Sequence, residues 1–162
     1  MAYKFSAHSI GQLHTLHPHL LGICERVIEV HDFRIEIGTR TAEQQQIALD
    51  TGNSKDSPAD GKWPHMPRPP EYRSWAVDIT PYVDGLRLNA DLFGKDPWET
   101  ARWAYFAGLV EAVSMDYFRT VYLQTNEQFR LRWGGNWNRD AKILDDSDRR
   151  FIDAYHFEME WA

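Results

Sequence analysis

The chain has 162 residues, 43% of them hydrophobic and 14% aromatic. That is one domain's worth of sequence, with enough apolar mass to bury a core and too much for a disordered chain. A formal net charge of -6 leaves no basic footprint for nucleic acid, and no run approaches the roughly 18 apolar residues of a membrane span.

Residues from Ser9 to about Val30 predict a helix in two pieces. Leu13, Leu16, Leu20, Ile23, Val27 and Val30 recur at steps of three or four, and Pro18 suits the first turn of the second piece. Cys24 falls in this apolar setting and reads as a buried small hydrophobe; as the single cysteine it has no internal disulfide partner. Phe33 to Ile37 alternates apolar with charged residues, as a half-buried strand does, and Gly38 closes it. Thr41 to Leu49 predicts a second helix, capped by Thr39 or Thr41. From Thr51 to Arg73 the chain is rich in Pro, Gly, Asp and Ser, the composition of one long loop. Trp75 to Ile79 predicts a short strand, ended by Pro81 and turned at Asp84-Gly85. Pro97 to Ser114 carries Trp98, Ala101, Tyr105, Leu109 and Ala112 at helical spacing behind Asp96. Phe129 to Trp133 predicts a strand leading into a glycine-rich turn, and Ala154 to Trp161 predicts the last one. Helices first, then strands mixed with one more helix, imply a single α+β domain: a small, largely antiparallel sheet with helices packed on it.

The chemistry gathers near the C-terminus. In Asp153-Ala154-Tyr155-His156 an acid stands three residues before a histidine, so the ring can ligate a metal while the carboxylate takes a proton from the water that the metal activates. His65, in the long loop, and Asp78, on a strand, are the further ligand candidates. Together with His156 they make a His-Asp-His tripod, which leaves a fourth position open as catalytic zinc requires. Taken singly, His65 reads as an exposed loop side chain and Asp78 as a turn residue near Pro81. His14, His17 and His19 read as surface or capping residues, because Pro18 breaks their geometry and no carboxylate follows at ligand spacing; His8 and His31 stand alone. Asp140, Asp145, Asp146 and Asp148 lack the spacing and glycine of an EF-hand loop and read as a solvated face rather than a calcium site.

Five segments in order resemble the zinc peptidases of the VanY and D-alanyl-D-alanine carboxypeptidase type, and within them the phage L-alanyl-D-glutamate endopeptidase endolysins. They are His17-Pro18-His19-Leu20, Gly38-Thr39-Arg40-Thr41-Ala42-Glu43-Gln44, Trp75 to Tyr82 around Ala76-Val77-Asp78, Trp133-Gly134-Gly135-Asn136-Trp137, and Phe151 to Glu158. The resemblance implies a hedgehog and D-Ala-D-Ala-peptidase-like fold over residues 1–162, with no separate cell-wall-binding domain. It implies one zinc per chain held by His65, Asp78 and His156, Asp153 as general base, and Arg40 facing the scissile carbonyl or the peptide's carboxylate. Arg40, Gln44, Asn136 and Trp137 become the substrate-binding positions; without the resemblance, Arg40 reads as a surface ion-pair partner of Glu43. Glu158 shares the strand face of His156, where a hydrogen bond between them fits.

Two departures stand out. The family interval from histidine to aspartate is seven positions and here it is thirteen, with Trp63 where serine is expected, Ser74 in place of glycine, and Pro67, Arg68, Pro69, Pro70 and Tyr72 in the extra length. Asn136 replaces an acid. The implied function is hydrolysis of peptidoglycan stem peptides, at the L-alanyl-D-glutamate bond, by a monomeric phage lysis enzyme without membrane insertion. Met1 to Phe5 lacks the apolar core of a secretory signal, so synthesis in the host cytoplasm is expected, with a holin-type partner giving access to the wall. A D-Ala-D-Ala carboxypeptidase or dipeptidase would use the same metal site. A non-catalytic wall-binding module on the same fold would have no need of Asp153.

Overall fold

The first helix of the fold, α1 (Ala7–Leu13), starts at Ser6, whose side chain accepts from Ser9 N. The second, α2 (Pro18–Ile28), starts at His17, whose Nδ1 accepts the His19 backbone N–H at 3.2 Å. Burial and the neighbouring His19 pull the His17 pKa down to about 4, so the ring stays neutral and keeps the lone pair a cap needs. Cys24 is buried in α2, and burial pushes its thiol up to about 12. The expected half-buried strand is β1 (Phe33–Ile37). Helix α3 (Ala42–Asp50) is closed by a capping box in which Thr41 and Gln44 exchange side-chain and backbone hydrogen bonds.

The structure, a computed structural model, describes residues 3–137 and 152–162; Phe151 and the acidic run Asp140, Asp145, Asp146 and Asp148 lie outside the described residues. The stretch after α3 is more ordered than the single loop expected. It holds a 3₁₀ turn (Pro58–Asp60) and two short paired strands, β2 (Pro67–Arg68) and β3 (Arg73–Ser74). Ser74 ties it to the first helices: its N–H donates to Thr15 O at 2.9 Å and its carbonyl accepts from His17 N at 2.8 Å.

Strand β4 (Ala76–Val83) does not stop at Pro81, which pairs with Phe33 of β1 inside the strand. On the other edge of β4 the β7 ladder has ended at Asp78, and β5 takes over there with Leu88 N donating to Pro81 O at 3.1 Å, a bond that asks no N–H of Pro81. Asp84 and Gly85, both with positive φ (52° and 74°), turn the chain into β5 (Leu86–Arg87). Helix α4 (Pro97–Thr125) runs well past the expected end at Ser114, because Phe118 and Val121 continue the buried stripe of Trp103, Phe106 and Val110. Asn126, left-handed at φ 62°, ends it. Strands β6 (Phe129–Trp133) and β7 (His156–Trp161) complete an antiparallel sheet in the order β1-β4-β7-β6, with β5 hairpinned onto β4.

The sheet has two unlike faces. One packs Val77, Ile79, Leu131 and Phe157 against Leu20, Ile23, Val27 and Val110 of α2 and α4, forming the core. Because strand side chains alternate, the other face receives Asp78, His156 and Glu158. Arg130 and Arg132 lie beside them, paired with Glu160 (2.8 Å) and Glu158 respectively.

Candidate metal centre and its groove

Asp78 and His156 are direct cross-strand partners in the β4–β7 ladder, so backbone register alone brings their side chains together on the polar face. His65 arrives from the loop and is fastened at three points. Its Nδ1 donates to Gly38 O at 2.7 Å, its carbonyl accepts from Arg40 N at 2.9 Å, and Trp63 Nε1 donates to Arg40 O at 3.2 Å. The six extra positions therefore bulge between two fastened ends, and His65 reaches the site despite them.

The three inward atoms form a nearly equilateral triangle. His65 Nε2 lies 3.1 Å from Asp78 Oδ1 and 3.2 Å from His156 Nδ1, and His156 Nδ1 lies 3.0 Å from Asp78 Oδ1. A tetrahedral ion with bonds of about 2.0–2.1 Å needs donor atoms roughly 3.3 Å apart, so the triangle fits one face of such a shell. All three residues are buried.

The outer nitrogens are already committed. His65 Nδ1–H goes to the Gly38 carbonyl, and His156 Nε2 lies 3.3 Å from Glu158 Oε2. Each ring thus turns a lone pair inward, the tautomer a metal ligand needs. Burial alone would raise the Asp78 carboxyl, but His65 and His156 outweigh it and hold it far below the usual carboxylate range. Burial would lower His156, yet its bonds to Asp78 and Glu158 raise it to about 10. A field that favours a proton so strongly also favours a cation. The donor set, its spacing and its charge all suit a zinc-like ion.

Asp153 stands at the turn before β7. Its N–H donates to Gly134 O at 3.0 Å, Gly134 N donates to His156 O at 2.8 Å, and His156 N closes the turn on Asp153 O at 3.1 Å. Burial, then the nearby Asp78 charge, raise its carboxyl above the ordinary value, which makes it a better proton acceptor when ionised. Arg40 is not paired with Glu43. It gives Nη1 to Gln45 Oε1 at 2.9 Å and Nη2 to Asp78 Oδ2 at 3.4 Å, so Asp78 keeps Oδ1 for the triangle.

Arg40, Gln44, Trp137, Asp153 and the triangle line one groove of about 770 Å³. Gln44 is exposed there, with its carboxamide held in the capping box. Trp137 packs its ring 5.5 Å from that of His156 and under the Arg132 guanidinium. Asn136 is half-buried in the turn, and its Oδ1 has no hydrogen-bond partner among the described residues.

Sequence reasoning passed over Gln45. Fully buried, it clamps Arg40 while its Nε2 donates to Ser54 Oγ and Asp56 O, both at 2.8 Å. A polar side chain on the inward face of α3, one turn before Ala48, was the available signal. Arg132 was also missed; it holds Glu158, whose carboxyl burial would raise but which His156 and Arg132 together bring down to about 2.

Among solved structures, the L-Ala D-Glu endopeptidase ChiX of Serratia marcescens superposes with a TM-score of 0.58 over 98% of this chain and 91% of its own; at 19% identity the likeness concerns the fold alone. The L-alanyl-D-glutamate peptidase of Escherichia phage T5 is 29% identical over 167 residues, covering 98% of this chain and 99% of the relative. Residues 1–95, which carry Arg40, His65 and Asp78, match the model of the phage L-alanyl-D-glutamate peptidases, and with more than half its length so matched the chain belongs to that family.

Proposed function

We propose that the chain is a single catalytic domain, residues 1–162, that hydrolyses the L-alanyl-D-glutamate bond of peptidoglycan stem peptides with one zinc ion. The observation that carries this reading is the triangle of three buried donor atoms beside Asp153 in an open groove. His65, Asp78 and His156 would hold the ion. When bound, it supplies Lewis-acid chemistry, lowering the pKa of a water molecule to about 7 and polarising a carbonyl.

The rest belongs to the protein. The Asp153 carboxylate accepts a proton from the attacking water and returns it to the departing amine. Arg40 stays charged at any working pH, and its groove-facing fork binds the peptide's carboxylate or the developing oxyanion. Gln45 holds that fork in place, and Glu158 fixes the tautomer of His156. Trp137 and Gln44 form parts of the groove wall against which the stem lies.

Among the described residues no helix is long and apolar enough to cross a membrane. On this proposal the enzyme is made in the host cytoplasm, and a holin-type partner admits it to the wall. Mass spectrometry of digested peptidoglycan tests the reaction. Expected products are stem peptides with a new amino terminus on D-glutamate; loss of terminal D-alanine alone would overturn the assignment in favour of a carboxypeptidase.

A further inference from the structure

Helix α4 is apolar on two sides. Opposite its buried stripe, exposed positions recur at alternating steps of three and four from Trp98 to Tyr122, the spacing of a coiled-coil seam roughly 36 Å long. Trp98 is 77% exposed, Tyr105 68% and Met115 73%, far more than single surface hydrophobics require.

The seam is symmetric about residue 110. Positions equally far from that centre pair as Trp98 with Tyr122, Ala101 with Arg119, Tyr105 with Met115, and Gly108 with Ala112. Large residues meet large ones toward the ends, small meet small in the middle, and Ala101 leaves room for the aliphatic stem of Arg119. Such matching has no use within one chain. It is what an antiparallel pair of identical helices needs, because a two-fold axis sets each position against its mirror in the partner.

Two further observations point the same way. Gly108 is a helix-interior glycine at which an added Cβ would meet nothing within 4 Å. Its own chain gives no reason for a residue that weakens a helix by about 1 kcal/mol relative to alanine, whereas close approach of a second backbone does. Arg102 and Asp116 flank the seam on one side; at eight and six positions from its centre they lie diagonally across the axis, within reach of each other, giving two matched charge pairs per dimer. Among the described residues Arg102 has the half-buried Glu99 at 3.8 Å and Asp116 the exposed Arg26 at 3.2 Å, single pairs at a partly open surface that exchange at little cost.

We infer that the outer face of α4 is the interface of an antiparallel homodimer. The monomer expected from sequence is then its dissociated form. The inference is independent of the proposed hydrolysis, and since α4 covers the sheet face opposite the groove, both grooves remain open. A strip of this size lies at the lower end of stable interfaces, so a micromolar dissociation constant is expected.

Sedimentation of the full zinc-loaded chain from about 1 to 500 µM should show a monomer–dimer equilibrium. Met115→Glu, at an exposed site that leaves the fold intact by circular dichroism, should abolish it. Arg102→Asp should weaken association about tenfold or more, and adding Asp116→Arg should restore it. Mixed and oxidised, the single variants Tyr105→Cys and Met115→Cys should cross-link to each other far more than to themselves. Monomer at every concentration, a dimer insensitive to Met115→Glu, preferential cross-linking of like variants, or a monomer that binds lipid vesicles through this face would each overturn the inference.

Discussion

On the proposed reading, Asp153 and Arg40 divide the chemistry of the groove between a proton acceptor and a fixed cation. Asp153→Asn keeps the shape and hydrogen bonding of the turn but removes the acceptor, so cleavage should fall by roughly 10²–10⁴-fold. Zinc content by elemental analysis should stay near one per chain, because the triangle is untouched; loss of zinc would make Asp153 a ligand instead. Arg40→Lys retains charge yet cannot hold Gln45 and Asp78 with one planar fork. Turnover of a stem peptide should drop about tenfold or more while metal content and melting temperature barely change. Wild-type turnover would remove Arg40 from the catalytic groups.

At the scale of elements, the turn that follows β6 depends on a missing side chain. A Cβ on Gly134 would lie 2.3 Å from the Asp153 carbonyl oxygen and 2.9 Å from the Trp137 ring, so Gly134→Ala must shift Asp153 relative to the triangle. Activity should fall by about 10²-fold, with a stability loss of about 1–3 kcal/mol in denaturant titration. The start of α2 predicts a pH effect. The His17 pKa is about 6.5 in the unfolded chain and about 4 in the fold. Its contribution is intact above pH 6.5 and declines as pH falls toward 4, where the unfolded chain takes up a proton that the fold does not. His17→Asn keeps a good cap without that titration. In chelator, its drop in melting temperature between pH 7 and 4.5 should be smaller than the wild type's by roughly 5 °C; equal drops would assign the acid sensitivity to other groups.

For the molecule as a whole, an ion that binds the fold and not the unfolded chain must stabilise it. Free zinc at about 100 times its dissociation constant adds about 2.7 kcal/mol, or roughly 5–10 °C by calorimetry, and a chelator should reverse both the shift and the activity. His65→Ala and His156→Ala should lose that shift equally; a shift kept by His65→Ala would mean another ligand serves in its place. Much of this architecture was legible in the sequence. Apolar periodicity marked α2, β1 and β7, and residue type marked the three donors that the fold draws together. Other features depend on neighbours that no local pattern names. The end of α4 is set by Phe118 and Val121 reaching the core, Pro81 is tolerated because it lies past the β7 ladder and meets β5 through its carbonyl, and Gln45 is told apart from Gln44 only by which of them turns inward.

The bulge between His65 and Ser74 has a consequence for how this scaffold can vary. Its ends are tied, one to the Gly38 carbonyl and the other to Thr15 and His17, and its tip at Tyr72 stands 72% exposed. Loop-closure entropy grows only slowly with length, so each doubling adds about 0.6 kcal/mol. The tip is therefore where lineages can gain or shed residues without moving His65. A laboratory could splice a peptide tag or a wall-targeting module there and expect the triangle of His65, Asp78 and His156 to keep its shape.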